Sequence, residues 1–179
     1  NMTKLEETNG IKSITHYNKL NIDMNNILIM NLDLDTNINM NALLFTIFTK
    51  KRMYVGLEKR ENILKLNLYN NRSRSTLVEI NYEDNIENLY IEFIPYMNLH
   101  LFIIYINDNF YKNIIDISPL KNITSNKIIF TDITINDNNN IINTSLITKV
   151  SLYTEILPLN INLLTEKKLE PTVKKQNDY

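Results

Sequence analysis

The stretch LYIEFIPYMNLHLFIIYINDNFYKN, Leu89 to Asn113, decides the fold class. Leu89, Ile91 and Phe93 alternate with Tyr90, Glu92 and Ile94, the period of a strand with one face in a core and the other nearer solvent. Pro95 cannot donate to a ladder, and Met97-Asn98 is short enough for a hairpin loop before Leu99 to Ile106, a run apolar on both faces. Asn107-Asp108-Asn109 is a second tight turn, because Asn and Asp tolerate the positive φ of hairpin turns. The result is three consecutive antiparallel strands.

Upstream of this meander, strands are expected at Ile11 to Tyr17, Leu20 to Met24, Ile27 to Leu34, Leu43 to Thr49, Met53 to Leu57, Ile63 to Tyr69 and Leu77 to Tyr82. Downstream, Phe110 to Ile117, Lys127 to Ile135 and Leu146 to Ile156 follow, with Leu159 to Leu164 as a last strand and a turn at Asn136 to Asn140. Polar clusters bound each run, and no window sustains apolar spacing at 3.6. Only Leu163 to Leu169 is a helical candidate. So many short strands must hide their edges, and the mixture of one-face and two-face apolar strands favours two packed antiparallel sheets, an all-β jelly-roll-like sandwich. Residues 11–164 form this domain, with a flexible polar segment before it (1–10) and a polar tail or linker after it (165–179).

Composition narrows the function. With 179 residues and a net charge of −1, the chain is one domain without the basic footprint of a nucleic-acid binder. The absence of Cys excludes disulfides, cysteine catalysis and zinc ribbons, and leaves the compartment open. No run approaches the ~18–20 apolar residues of a membrane span, so direct membrane insertion is not expected. A start at Asn1 leads us to expect a piece of a longer protein. Asn dominates the turns, as in the products of AT-rich genes, and the sequons at Asn1, Asn71, Asn122 and Asn143 are what chance supplies in such a chain.

From Ala42 to about Asn138 the order and spacing of strands resemble a galectin carbohydrate-recognition domain, within the wider concanavalin-like jelly-roll group. Tyr90-Ile91-Glu92-Phe93, the Asn98 turn and Phe102 to Asn107 are similar to that family's late hairpin. The family's sugar site carries H-x-N-x-R on one strand, Asn on the next and W-G-x-E-x-R on the third. Here Gly56-Leu57-Glu58-Lys59-Arg60 keeps only Arg60 of the first motif, while Asn67 and Glu79 fall near the Asn and Glu positions. The resemblance therefore implies ligand contacts at Arg60, Asn67 and Glu79, without the Trp that supplies the family's stacking platform. A laminin-G-like domain shares the same jelly roll and adds a Ca²⁺ rim.

Chemistry is sparse. His16 and His100 each lie inside a strand run and read as strand-face residues rather than as metal ligands or bases. Two glycines, Gly10 and Gly56, cannot build a phosphate-cradling loop. Asp132, Asn136, Asp137 and Asn138 in TDITINDNNN offer oxygens to Ca²⁺, against the plainer reading of a solvated hairpin turn. Asp33 with Asp35, and Glu79 with Asn81, share strand faces that read as solvated. Lys50-Lys51-Arg52 with Lys59, Arg60, Arg72 and Arg74 suggest a positive rim at one end of the sandwich. The expectation is a non-enzymatic binding or adhesion module that recognises a protein partner. A glycan-binding face using Arg60, Asn67 and Glu79 is the alternative, and a structural scaffold domain the third reading. No cofactor is expected beyond the Ca²⁺ candidate.

Overall fold

A computed structural model describes residues 2–9, 20–37, 41–48, 53–71, 73–121, 126–130, 133–137, 140–144 and 146–155. The strands are β1 (Met2–Asn9), β2 (Leu20–Ile22), β3 (Ile27–Leu34), β4 (Ala42–Phe48), β5 (Met53–Arg60), β6 (Ile63–Asn70) and β7 (Ser73–Asn81). They continue as β8 (Asn88–Tyr96), β9 (Leu99–Ile106), β10 (Asn109–Ile115), β11 (Asn126–Phe130), β12 (Ile133–Asp137), β13 (Asn140–Thr144) and β14 (Ile147–Glu155). Sheet A runs β1-β14-β3-β8-β9-β10, sheet B runs β2-β11-β4-β5-β6-β7, and β12-β13 is a separate hairpin. Every pairing is antiparallel, and the two large sheets form the expected sandwich.

Alternation makes the core. In sheet A one row crosses five strands, Leu152 to Met30 to Ile91 to Ile104 to Tyr111, and all five side chains are buried. Sheet B answers with Phe45, Ile47, Val55, Leu57, Leu64, Leu66, Val78 and Ile80. Across the layers, Phe45 of β4 meets Phe93 of β8 edge to face, with centroids 6.5 Å apart at 86°. Such a geometry contributes about 0.5–1.5 kcal/mol beyond the buried area.

The opening meander forms, but its second face is not solvated as its alternation suggests. Glu92 is 2% exposed and Ile94 fully buried, because Ile27, Ile29, Leu101, Ile103 and Phe110 build a second apolar cluster on the outer face of sheet A. There Tyr90 is held protonated above the ordinary range, first by burial and then by the Glu92 carboxylate. Pro95 sits in β8 beyond Phe93, the last residue paired with β3, where that side of the strand needs no donor.

Other expectations change. Met2–Asn9, read as a flexible polar segment, pairs with β14. Lys127 to Ile135 is divided between β11 in sheet B and β12 in the separate hairpin. Ser118–Lys121 forms a short helical turn whose first amide donates to Asp116 Oδ1 at 3.0 Å. The strands expected at Ile11 to Tyr17 and Leu159 to Leu164, the helix expected at Leu163 to Leu169, and the tail lie outside the described residues.

Four two-residue turns set the register of both meanders: the closing pairs are Arg60 with Ile63, Asn70 with Ser73, Tyr96 with Leu99, and Ile106 with Asn109. In each turn the first loop residue takes positive φ: Glu61, Asn71, Met97 and Asn107, at 53–55°. Asn107 also acts as a strut, accepting from the Glu87 and Asn88 amides (2.8 and 3.2 Å) and donating to the Asn85 carbonyl at 3.1 Å. Glu61 is clamped from both sides. Its amide donates to Asn41 Oδ1 (2.7 Å), and the Tyr82 hydroxyl donates to its carbonyl (2.5 Å).

Met97 has no such compensation and is 80% exposed. A left-handed β-carbon costs ~1–2 kcal/mol, part of which glycine returns as unfolded-state entropy, so Met97→Gly should stabilise the domain by roughly 0.5–1 kcal/mol. Urea unfolding with a higher midpoint and an unchanged slope is the expected reading. Tyr82→Phe should cost about 1–2 kcal/mol at neutral pH. Burial raises the Tyr82 hydroxyl to about 12, so its contribution is complete below pH 10 and is lost as pH rises from 10 to 12. Between pH 9 and 11.5 the variant should therefore lose stability less steeply than the wild type.

Candidate functional site

The core-facing residues of sheet B fix what its opposite face displays. Val55, Leu57 and Lys59 of β5 point inward, which sends Tyr54, Gly56, Glu58 and Arg60 outward. On β6, Leu64 and Leu66 point inward, and Lys65, Asn67 and Tyr69 outward. The β5–β6 register then lays out cross-strand rows, Glu58 beside Lys65, Gly56 beside Asn67 and Tyr54 beside Tyr69.

Bulges extend the rows onto the flanking strands. Between β6 and β7 the register slips after Leu66, with Leu77 as the extra residue, so that Val78 still faces the core while Thr76 pairs with Asn67 and Arg74 with Tyr69. Between β4 and β5 a slip at Leu44 brings Leu43 opposite Glu58, and beyond it Thr46 and Phe48 pair with Gly56 and Tyr54. β11 adds Lys127 beside Phe48. One row thus reads Lys127, Phe48, Tyr54, Tyr69, Arg74 across five strands, about 19 Å at ~4.8 Å per strand.

The centre of that row is ordered. The Tyr54 and Tyr69 rings stack with centroids 4.3 Å apart at 15°. Asn67 Nδ2 donates to the Tyr69 hydroxyl at 3.3 Å, and Thr76 Oγ1 donates to Asn67 Oδ1 at 3.0 Å. Because the Tyr69 oxygen accepts, its own proton is free to donate to a ligand. Burial, then the neighbouring Tyr69, raises the Tyr54 hydroxyl above its ordinary value. Gly56 makes room for this packing: a β-carbon there would lie 3.0 Å from Leu43 Cδ1 and 3.4 Å from Tyr69 Cε2.

Arg60, Asn67 and Glu79 therefore share one face, but not one role. Arg60 is exposed and pairs loosely with Glu58 (3.7 Å), and Glu79 is half-exposed and pairs with Lys65 (3.4 Å). Asn67 is fully buried and is spent on Tyr69 and Thr76, where it positions rather than contacts. There is no Trp on this face; its aromatic side chains are Phe48, Tyr54 and Tyr69, and the last two stack on each other. The sequence signal for them lies in the two turns closing at Arg60 with Ile63 and Asn70 with Ser73, which place Tyr54, Tyr69 and Arg74 side by side once the register is counted.

The remaining candidates separate. Lys59 is turned to the inner face at 6% exposure, opposite Arg60, so the two do not form one positive rim; burial lowers its ammonium pKa. Arg74 stands six β5 positions from Arg60, roughly 20 Å along the strands. Lys50, Lys51, Arg52 and Arg72 lie outside the described residues. His100 is buried, with Nε2 2.8 Å from the Met24 carbonyl, a structural role; His16 lies outside the described residues. Asn88 Nδ2 ties Asp33 and Asn31 together at 2.7 and 2.6 Å. Of the Ca²⁺ candidates, Asp132 and Asn138 lie outside the described residues, while the backbones of Asn136 and Asp137 belong to β12 rather than to a turn. Among the described residues no three His, Asp or Glu side chains gather as a metal site.

No family model matches the sequence, and no curated protein matches it. The CBM2 module of Lactobacillus casei BL23 phage J-1 evolved Dit is similar in structure over 77% of this chain and 68% of that one, at 9% identity and a TM-score of 0.49. The Ruminococcus gnavus IT-sialidase CBM40 is similar over 92% and 99%, at 10% identity and 0.46. The binding domain of botulinum neurotoxin DC, solved with rat synaptotagmin II, is similar over 82% and 37%, at 15% identity and 0.40. Likenesses this distant leave the ligand to the chain's own side chains.

Gly56→Ala should be nearly neutral, since a shift of the Leu43 side-chain end accommodates it and the strand gains a better former. Gly56→Val should lift Tyr69 off Asn67 and cost about 1–3 kcal/mol, read as a lower unfolding midpoint and a changed tyrosine near-UV signal.

Proposed function

We propose that this domain is a non-catalytic binding module that recognises a saccharide on the outer face of sheet B. The observation that carries the reading is the stacked Tyr54–Tyr69 pair, flanked by Phe48 and backed by Asn67 and Thr76. A sugar offers apolar C–H faces and a fringe of hydroxyls. A rigid aromatic band bordered by donors and acceptors complements both at low ordering cost. Arg60 and Glu79 lie on the same face.

A protein partner is the second reading, and the edge of sheet B favours it. β7 ends the sheet, and Ser73, Arg74, Ser75 and Thr76 are all exposed, so an extended peptide has free backbone groups to pair with.

A glycan array followed by calorimetric titration separates the two. The wild type should bind defined oligosaccharides, and Tyr54→Ala and Tyr69→Ala should each weaken the best of them at least about tenfold, ~1.4 kcal/mol, while the chain stays folded by circular dichroism. Failure of the wild type to bind any glycan overturns the saccharide reading.

A further inference from the structure

The aromatic band has a cation at each end. Lys127 of β11 stands beside Phe48, and Arg74 of β7 stands beside Tyr69, both on the outer face of sheet B. Arg74 is exposed and Lys127 half-buried, and among the described residues neither is in an ion pair with a carboxylate. The described carboxylates of this face, Glu58 and Glu79, are occupied by Arg60 and Lys65. Glu58 lies four β5 positions from Tyr54, about 13 Å, beyond a Debye length of ~8 Å at physiological salt. The band is therefore bordered at each end by a cation outside any ion pair among the described residues, in a chain whose net charge is −1.

Resting on the saccharide reading, we infer that the band takes an acidic saccharide, whose anionic group is held by Arg74 at one end or Lys127 at the other. The guanidinium fork suits a carboxylate or sulfate bidentately, and Arg74 stands beside the Tyr69 end of the band. Two cations suit one or two anionic groups. They are too few for a nucleic-acid backbone, whose binders neutralise on the order of 6–10 phosphates.

The test compares lactose with its sialylated and sulfated forms, and a neutral oligosaccharide with a uronate-bearing one, on the wild type, Arg74→Gln, Lys127→Gln and the double variant. A fourth variant, Lys112→Gln on sheet A, serves as the control. The wild type should prefer acidic to neutral forms at least about tenfold at low salt, and the preference should shrink as salt rises. The double variant should abolish the preference, and Lys112→Gln should keep it. The sialylated and uronate arms against the sulfated arm distinguish carboxylate from sulfate. Equal affinity for acidic and neutral sugars, or a preference that survives the double variant, overturns the inference while leaving Tyr69-dependent sugar binding standing. If no sugar binds at all, both readings fall. An oligothymidylate that binds more tightly than every acidic sugar and depends on Arg74 also overturns the inference, in favour of a nucleic acid.

Discussion

The contact between the two inner sheet faces, with Phe45 driven edge-on against Phe93, is the constraint from which the rest follows. Once alternate residues of β4 to β7 must meet sheet A, their intervening neighbours are committed to the other side, and no separate instruction places Tyr54, Tyr69 and Arg74 there. Core and display face are two readings of one periodicity. A register slip that damaged the first would scramble the second.

Much of the architecture was legible because its signals are local. Period-two runs and tight turns with Asn or Asp gave the meander, the antiparallel pairing and the two-layer fold. What escaped depended on distant partners. Glu92 and Ile94 read as a solvated face because the isoleucines that bury them, Ile27 and Ile29, come from a strand more than sixty residues earlier. Met2–Asn9 carries no apolar alternation, so nothing marked it as an edge strand held by backbone pairing. Met97 and Glu61 enter positive φ without being Asn or Gly, and for Glu61 the reason is the clamp from Asn41 and Tyr82.

The arrangement of the candidate site was legible by half. Assigning Arg60, Asn67 and Glu79 to neighbouring strands was enough to bring them to one face, but exposure separated them: Asn67 serves the aromatic pair from beneath. The tyrosines were passed over because a strand tyrosine is ordinarily just a good strand former. Only paired registers distinguish a stack from two unrelated rings.

The Leu77 bulge shows how such a surface can change over time. It splits β7 into two half-strands in opposite phase: Val78 and Ile80 serve the core at even positions, while Arg74 and Thr76 lie on the outer face, also at even positions. The packing half and the displaying half are thereby uncoupled. Ser73 to Thr76 can drift in charge and shape without altering the hydrophobic pattern from Val78 onward, so the edge of sheet B is where the domain can acquire a new preference while its core stays as it is.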